Sequence, residues 1–332
     1  MSTSLGISEM VYKLIEHTGM EPRGIQRDAI EEGLLQGNSI LVCSPTGSGK
    51  TLIGEMALLR AIASGDRGLY IVPLRALATQ VYDILKSRYK SKNITIGLST
   101  GDIQTDDSEL ENYDILVSTY ERADSLLRHK SAWMNELGTI VVDEIQSISD
   151  STRGARLESV LIRLRRLIEN LQIVGLSATI GMPDQLADWL GCKLVESLER
   201  PVPLLCSVVS RPNRDEAVRQ YVMTTVQRNG QVIVFQRTRR EAEAEAKRLS
   251  SFVGKQMTSE ERSQMQSELE SVAHWDANIP KDLRILLHDG IAYHHAGMGL
   301  PARRLVEEFF KQGRIRAICA TTTLASGMDL PA

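Results

Sequence analysis

The chain has 332 residues, 42% of them apolar and 24% charged, and a formal net charge of −3. This length and composition are those of a globular protein of about two domains, roughly 150 residues each. The charge balance excludes a polycation, so any affinity for nucleic acid must come from local basic surface.

The start, Met1-Ser2-Thr3-Ser4-Leu5-Gly6, has neither the basic residues nor the apolar stretch of a signal peptide. No apolar run approaches the roughly 18 residues that a membrane helix needs. The expectation is a soluble, intracellular (cytoplasmic) protein with no membrane partner. The four cysteines, Cys43, Cys192, Cys206 and Cys319, are far apart and form no C-x-x-C pair. That spacing argues against zinc or a disulfide framework and predicts buried free thiols in a reducing cytosol.

Short runs rich in Ile, Val and Leu predict strands at residues 39–43, 69–72, 95–98, 115–117, 140–142 and 173–176. Helical patterns lie between them. One covers residues 51–63 and ends at Gly65, a residue suited to a helix C-terminus. In another, Leu157, Val160, Leu161, Leu164 and Ile168 form one stripe, with Arg163, Arg165 and Arg166 largely off it. Strands alternating with helices imply a doubly wound parallel sheet. Pro201, Pro203 and Pro212 then interrupt the pattern. The expected division is a first domain over 1–198, an extended linker over 199–212 and a second domain over 213–332. Strands are predicted again at 232–235, 291–293 and 315–320, with helical segments at 241–249 and 258–272. Thr258-Ser259-Glu260-Glu261 fits a capping box.

Two motifs carry chemistry. Ser44-Pro45-Thr46-Gly47-Ser48-Gly49-Lys50-Thr51 lies between a predicted strand and a predicted helix. Gly47 and Gly49 let the backbone turn its N–H groups, with those of Thr46 and Ser48, toward an anion at the helix N-terminus. Lys50 suits the β/γ-phosphates of a nucleotide and the Thr51 hydroxyl suits Mg²⁺. Ser44 stands where the strict pattern has its first glycine. Ile140-Val141-Val142-Asp143-Glu144 reads as a buried strand ending in two carboxylates. Ligand sites of parallel sheets gather at the carboxyl ends of strands, which places both motifs on one edge. Asp143 could then hold Mg²⁺ while Glu144 orients or deprotonates a water.

In residue type, order and spacing these motifs resemble a superfamily 2 helicase of the DExH group, most closely its Ski-like branch, which includes archaeal DNA-repair helicases. The resemblance runs from about Pro22 to Ala332. It implies two RecA-like doubly wound α/β domains with parallel sheets, the second incomplete, and ATP with Mg²⁺ as cofactors. It makes Lys50, Asp143 and Glu144 the catalytic set. Gln26 would read adenine. Pro73 and Arg75 (in Pro73-Leu74-Arg75-Ala76-Leu77), Thr100 and Gly101 (before Asp102), and Thr119 and Arg122 would contact the nucleic-acid backbone, where hydroxyls, N–H groups and arginines position a strand without reading it. Ser177 and Thr179, in Leu176-Ser177-Ala178-Thr179, would couple nucleotide and strand. In the second half, Thr238, Arg239 and Arg240 would line the strand channel. His294 and His295, in Tyr293-His294-His295-Ala296-Gly297-Met298, would lie at the nucleic-acid face. No acidic or cysteine residue at ligand spacing accompanies that pair, which argues against a metal there. Thr321 and Thr322 would touch the strand, and Gly327 and Asp329 the nucleotide.

Two departures qualify the likeness. Gln146 stands where the group has histidine; it can donate and accept hydrogen bonds but cannot become a cation, which bears on coupling. The chain also ends directly after the thirteen-residue segment that closes on Leu330-Pro331-Ala332, with no later arginine-finger motif, winged-helix or ratchet domain. Such an arginine contributes on the order of 10³–10⁵ in rate. The expectation is a fragment of an ATP-hydrolysing helicase or translocase core, probing single-stranded or forked nucleic acid, DNA favoured over RNA, as a monomeric motor with reduced turnover. The alternative is an ATP-dependent strand clamp that hydrolyses little. A P-loop enzyme of another class, such as a small-molecule kinase, is disfavoured by the downstream motifs.

Overall fold

The structure is a computed structural model; it describes residues 9, 11–16, 19, 21–101, 110–129, 131–178, 180–200, 203–210, 213–273, 279–322 and 324. The chain divides into two compact units, Met1–Leu204 and Leu205–Ala332.

The first unit is built on seven parallel strands: β1 (Ile40–Cys43), β2 (Arg67–Val72), β3 (Ile96–Ser99), β4 (Ile115–Thr119), β5 (Leu137–Val142), β6 (Gln172–Ser177) and β7 (Lys193–Glu196). Their order across the sheet is β3-β4-β2-β5-β6-β1-β7. Among the helices that flank it are α1 (Ile25–Glu31), α2 (Lys50–Ala63), α3 (Arg75–Tyr89), α4 (Tyr120–Arg128), α5 (Gly154–Leu167) and α6 (Pro183–Leu190). Side chains of a strand alternate between faces, and β1 shows the consequence. Ile40 and Val42 join a core with Ile53, Met56, Val81 and Leu85 of α2 and α3. Leu41 and Cys43 join the opposite core with Leu126, Leu157, Leu164 and Leu190 of α4, α5 and α6. Both faces are covered, which is why β1, β4, β5 and β6 are buried at every position.

The six strands expected in this half are present, with ends that differ by at most three residues. The seventh, β7, escapes the sequence pattern because it is an edge strand: only Val195 is buried, while Lys193 and Glu196 are exposed. Helix α2 ends as expected, with Gly65 at φ +85° and its N–H on the Ile62 carbonyl (3.0 Å). The stripe Leu157, Val160, Leu161 and Leu164 is buried along α5, and Arg163, Arg165 and Arg166 are exposed.

A polar bridge ties the two helices on one face. Glu55 of α2 is fully buried; Arg88 donates to its Oε1 and Tyr89 Oη to its Oε2 (2.9 Å), both from α3. Burial pushes the Glu55 carboxyl up from its usual range, and Arg88 opposes that shift.

The second unit carries three parallel strands among its described residues, β8 (Val232–Phe235), β9 (Ile291–His294) and β10 (Ala317–Ala320), ordered β8-β10-β9. Its helices are α7 (Arg214–Gln227), α8 (Arg239–Gly254), α9 (Ser259–Ala273), α10 (Lys281–His288) and α11 (Leu300–Lys311). Val226, Leu249, Leu287, Phe309 and Ile318 meet in one core. The expected capping box closes α9: Glu261 N–H donates to Thr258 Oγ1 (3.1 Å) and Thr258 N–H to Glu261 Oε2 (2.8 Å). Alternating strands and helices with all-parallel sheets give the RecA-like α/β architecture that the resemblance implies.

The cysteine expectation needs one correction. Cys43 and Cys319 are buried and Cys192 partly so, but Cys206 is exposed. It lies in the irregular stretch 203–210, where no side chain is covered. Among the described residues no helix is long and apolar enough to cross a membrane.

One close approach at the start of α5 gives a stability prediction. Gly154 N–H donates to the Asp150 carbonyl (2.8 Å), and a Cβ here would sit 2.0 Å from the Ile148 carbonyl oxygen. The obstacle is backbone, so the turn must move. Gly154→Ala should lower stability by about 2 kcal/mol or more, read as a melting point several degrees lower. An unchanged melting curve would show that this turn is free to shift.

Candidate active site

The register of the first sheet assembles the site. Cys43 is level with Ser177, Val142 with Gly175, and Ile71 with Val142. The segments leaving β1, β5 and β6 therefore emerge side by side at one edge. The loop after β1 turns through Gly47 and Gly49, both at φ +84°, into the N-terminus of α2. A helix's first turn leaves backbone N–H groups without intrahelical partners, and its dipole favours an anion. Lys50 Nζ folds back onto the carbonyls of Ser44 (2.6 Å) and Pro45 (3.0 Å). Ser44 Oγ and Ser48 Oγ bond each other at 2.6 Å, so Ser44 braces the loop where the strict motif has glycine. Thr46 and Gly47 are exposed, and Thr51 is half-buried on the first turn of α2.

Gln26, buried at 8% exposure, grips the same loop. Its Nε2 donates to the Gly49 carbonyl (3.1 Å) and its Oε1 accepts from Arg23 N–H (2.9 Å). A Cβ on Gly49 would lie 2.1 Å from Gln26 Nε2, so position 49 requires glycine for space as well as for φ.

Beside the loop stand the carboxylates. Asp143 Oδ2 accepts from Tyr70 Oη (2.8 Å) and Oδ1 from Glu144 N–H (2.9 Å). Burial raises the Asp143 carboxyl above its ordinary value, against the bond from Tyr70. Burial likewise lowers Lys50, while the charges of Asp143 and Glu144 hold its proton. Glu144 has φ +53° and ψ +42°, a left-handed conformation that costs a non-glycine residue about 1–3 kcal/mol. Three contacts hold it there. Its N–H is bound by Asp143, Gln146 Nε2 donates to its Oε2, and Tyr120 Oη donates to its carbonyl (3.2 Å) and to that of Asp143. Ser177 Oγ in turn donates to Gln146 Oε1 (2.7 Å). Gln146 thus joins Glu144 to the last residue of β6 with both ends of its amide, a link that needs no positive charge. Thr179 lies outside the described residues.

The strand-contact candidates of this unit cluster on the adjoining part of the same edge, beyond β2, β4 and β3. Val72 is level with Thr119, and Ser99 with Ser118. Pro73 is buried and its carbonyl accepts from Arg153 Nη1 (3.4 Å). Arg75 is exposed, and its guanidinium would lie 2.8 Å from a Cβ on Gly101. Thr100 and Thr119 are buried. Thr119 Oγ1 caps α4 by accepting from Arg122 N–H (3.4 Å), and Arg122 Nε donates to Ser99 Oγ (3.0 Å). Asp102 is outside the described residues.

In the second unit, Arg237, Thr238, Arg239, Arg240, Ala296 and Thr321 line an open cleft of about 500 Å³. Thr238 and Glu241 form a capping box at the start of α8, which presents the three arginines outward. Thr321 N–H donates to the His294 carbonyl (3.1 Å), and Thr322 is exposed beside it. The histidines themselves are buried, at 3% and 5% exposure. His294 Nε2 pairs with Glu307 (2.9 Å) on α11, and His295 Nε2 with Glu243 (3.0 Å) on α8, while the His295 ring stacks on Tyr293. These carboxylate partners sit far off in sequence, so residue spacing could not reveal them. Gly327 and Asp329 lie outside the described residues.

Sequence reading also missed Tyr70 and Tyr120, which hold the carboxylate pair. The available signal was a tyrosine within the aliphatic strand β2 and another opening α4: a buried phenol needs a hydrogen-bond partner.

The residues suit a Mg²⁺-nucleotide. A lysine turned onto carbonyls, a helix N-terminus behind two left-handed glycines, and hard oxygen donors on Thr51 and Asp143 are the groups that could cradle a triphosphate and hold Mg²⁺.

Comparison with known proteins agrees with this geometry. The DEAD/DEAH box helicase family matches residues 23–187. The chain is 38% identical over 326 residues to ATP-dependent DNA helicase Hel308 of Methanocella arvoryzae, covering 92% of this chain and 44% of that protein. It is 36% identical to proteins of the same name from Methanococcus vannielii (97% and 46%) and Pyrococcus horikoshii (99% and 47%). The chain spans about half the length of these curated relatives. Residues 23–187 form a DEAD/DEAH box helicase domain, and along most of its length the chain is similar to Hel308 helicases.

Proposed function

We propose that the chain is the motor core of an ATP-dependent DNA helicase, hydrolysing ATP to ADP and phosphate as it steps along one strand. The observation that carries this reading is the shared edge of the first sheet: the Lys50 loop, the Asp143–Glu144 pair and the Gln146–Ser177 link lie directly beside Pro73, Arg75, Thr119 and Arg122. A nucleotide site and a strand surface on neighbouring strand ends suit a machine that couples the two.

In this reading the N–H groups of residues 46–51 receive the phosphates and Lys50 exchanges its two carbonyls for phosphate oxygens. Gln26 meets the adenine. Thr51 and Asp143 hold Mg²⁺, which when bound neutralises phosphate charge. Glu144 orients the attacking water and takes its proton. The amide of Gln146 keeps that carboxylate aimed and joins it to Ser177, which with Thr179 couples nucleotide and strand. Arg75, Thr100, Gly101, Thr119 and Arg122 on the first unit, and Thr238, Arg239, Arg240, Thr321 and Thr322 on the second, contact the strand, favouring single-stranded or forked DNA with little sequence preference, on a monomer; the buried His294 and His295 support that surface from behind.

Three measurements bear on this. Glu144→Gln should bind a fluorescent ATP analogue within about twofold of the native chain yet lose hydrolysis by about 100-fold or more. Unchanged turnover would remove Glu144 from the mechanism. Gln146→Ala should reduce turnover with little change in nucleotide affinity, since it frees Glu144 without touching the phosphate loop; equal turnover would make the link structural only. Arg240→Ala should weaken binding to any single strand alike and reduce the salt slope by about one ion. Strand binding with no hydrolysis by the native chain would favour the clamp instead.

A further inference from the structure

We propose that Tyr120 is the positioning residue through which strand contact controls Glu144. The inference rests on the function proposed above and adds the part that joins its two sites.

Tyr120 opens α4, directly after Thr119, whose hydroxyl caps that helix, and two residues before Arg122. Its backbone therefore belongs to the strand-contact segment. Its side chain goes elsewhere. In the sheet β4 and β5 are separated by β2, so the ends of β4 and β5 are about 10 Å apart. The fully buried Tyr120 ring spans that gap, and its hydroxyl donates to the carbonyls of Asp143 and of Glu144 (3.2 Å). Those are the two peptide units that set the direction of the catalytic carboxylates. Glu144 stands in a left-handed backbone conformation that its own residue type disfavours, so its orientation depends on such outside contacts. Asp143 has a second phenol on its carboxylate, Tyr70; Tyr120 is the one that grips the backbone.

The consequence is mechanical. Arg122 Nε bonds Ser99 Oγ at the end of β3, and Ser118 Oγ bonds the Ser99 carbonyl (2.8 Å). A phosphate drawn to Arg122 or Thr119 pulls on the first turn of α4, and that turn carries the phenol. Burial also pushes the Tyr120 hydroxyl far above its usual value, so it remains a neutral donor across working pH.

Tyr120→Phe removes the hydroxyl and keeps the ring that fills the core. Steady-state ATP hydrolysis would be measured against single-stranded DNA concentration for the native chain, Tyr120→Phe, Arg122→Ala and the double variant, with a melting curve for each. Tyr120→Phe should lower strand-saturated kcat by about tenfold, with KM for ATP and Kd for the strand within about twofold and the melting point within a few degrees. The double variant should stimulate no less than the worse single one, because both break the same path. Native stimulation in Tyr120→Phe would overturn the role, as would multiplicative losses in the double variant. So would a kcat loss accompanied by equal losses in KM and melting point, which marks simple structural damage. A native chain that no strand stimulates fails differently: it overturns the helicase reading and this role together.

Discussion

The structure depends on the parallel register of β1, β5 and β6. Parallel strands deliver all their carboxyl ends to one edge, and the level pairing of Cys43 with Ser177 and of Val142 with Gly175 aligns the three segments that follow. The phosphate loop, the carboxylates and the Ser177 hydroxyl therefore meet without any long loop. Continuing across the sheet through β2, β4 and β3, the same rule brings Pro73, Thr119 and Thr100 to the adjoining half of that edge. One geometrical constraint thus supplies both proposed surfaces and their adjacency.

What the register cannot supply is orientation at the end of β5, where the chain leaves the sheet in a sparsely populated conformation. Hydrogen bonds hold it. Asp143 is held from its side chain by Tyr70, Glu144 from its side chain by Gln146, and both peptide units by Tyr120. These contacts reach from β2, from the turn after β5, and from α4, so the two carboxylates report on several elements at once. The glutamine at position 146 fits this role as an amide that donates at one end and accepts at the other.

Much of the fold was legible because buried parallel strands are near-continuous aliphatic runs, and because Gly47, Gly49 and Gly65 are needed for their φ values. Strand β7 was not legible, since an edge strand with one buried side chain has no such run. Helices α7, α10 and α11 carry narrow apolar stripes between polar residues and drew no separate expectation. In the site, the loop and the carboxylate pair could be read because their chemistry lies in consecutive residues. The partners Tyr70, Tyr120, Glu243 and Glu307 could not, because they act across 13 to 73 residues and only tertiary packing brings them near. The histidine pair shows the same limit: sequence spacing offers no acidic neighbour, whereas each ring is in fact bonded to a carboxylate from another helix.

A nucleotide site and a strand surface that share one edge, as proposed, should also share free energy, and coupling between two ligands must be reciprocal. The direct test is to measure the affinity for single-stranded DNA with and without a non-hydrolysable ATP analogue, and the affinity for the analogue with and without DNA. The account predicts a factor clearly different from one, equal in the two directions. Strand affinity that is the same at zero and at saturating nucleotide would contradict it, whatever the two affinities are.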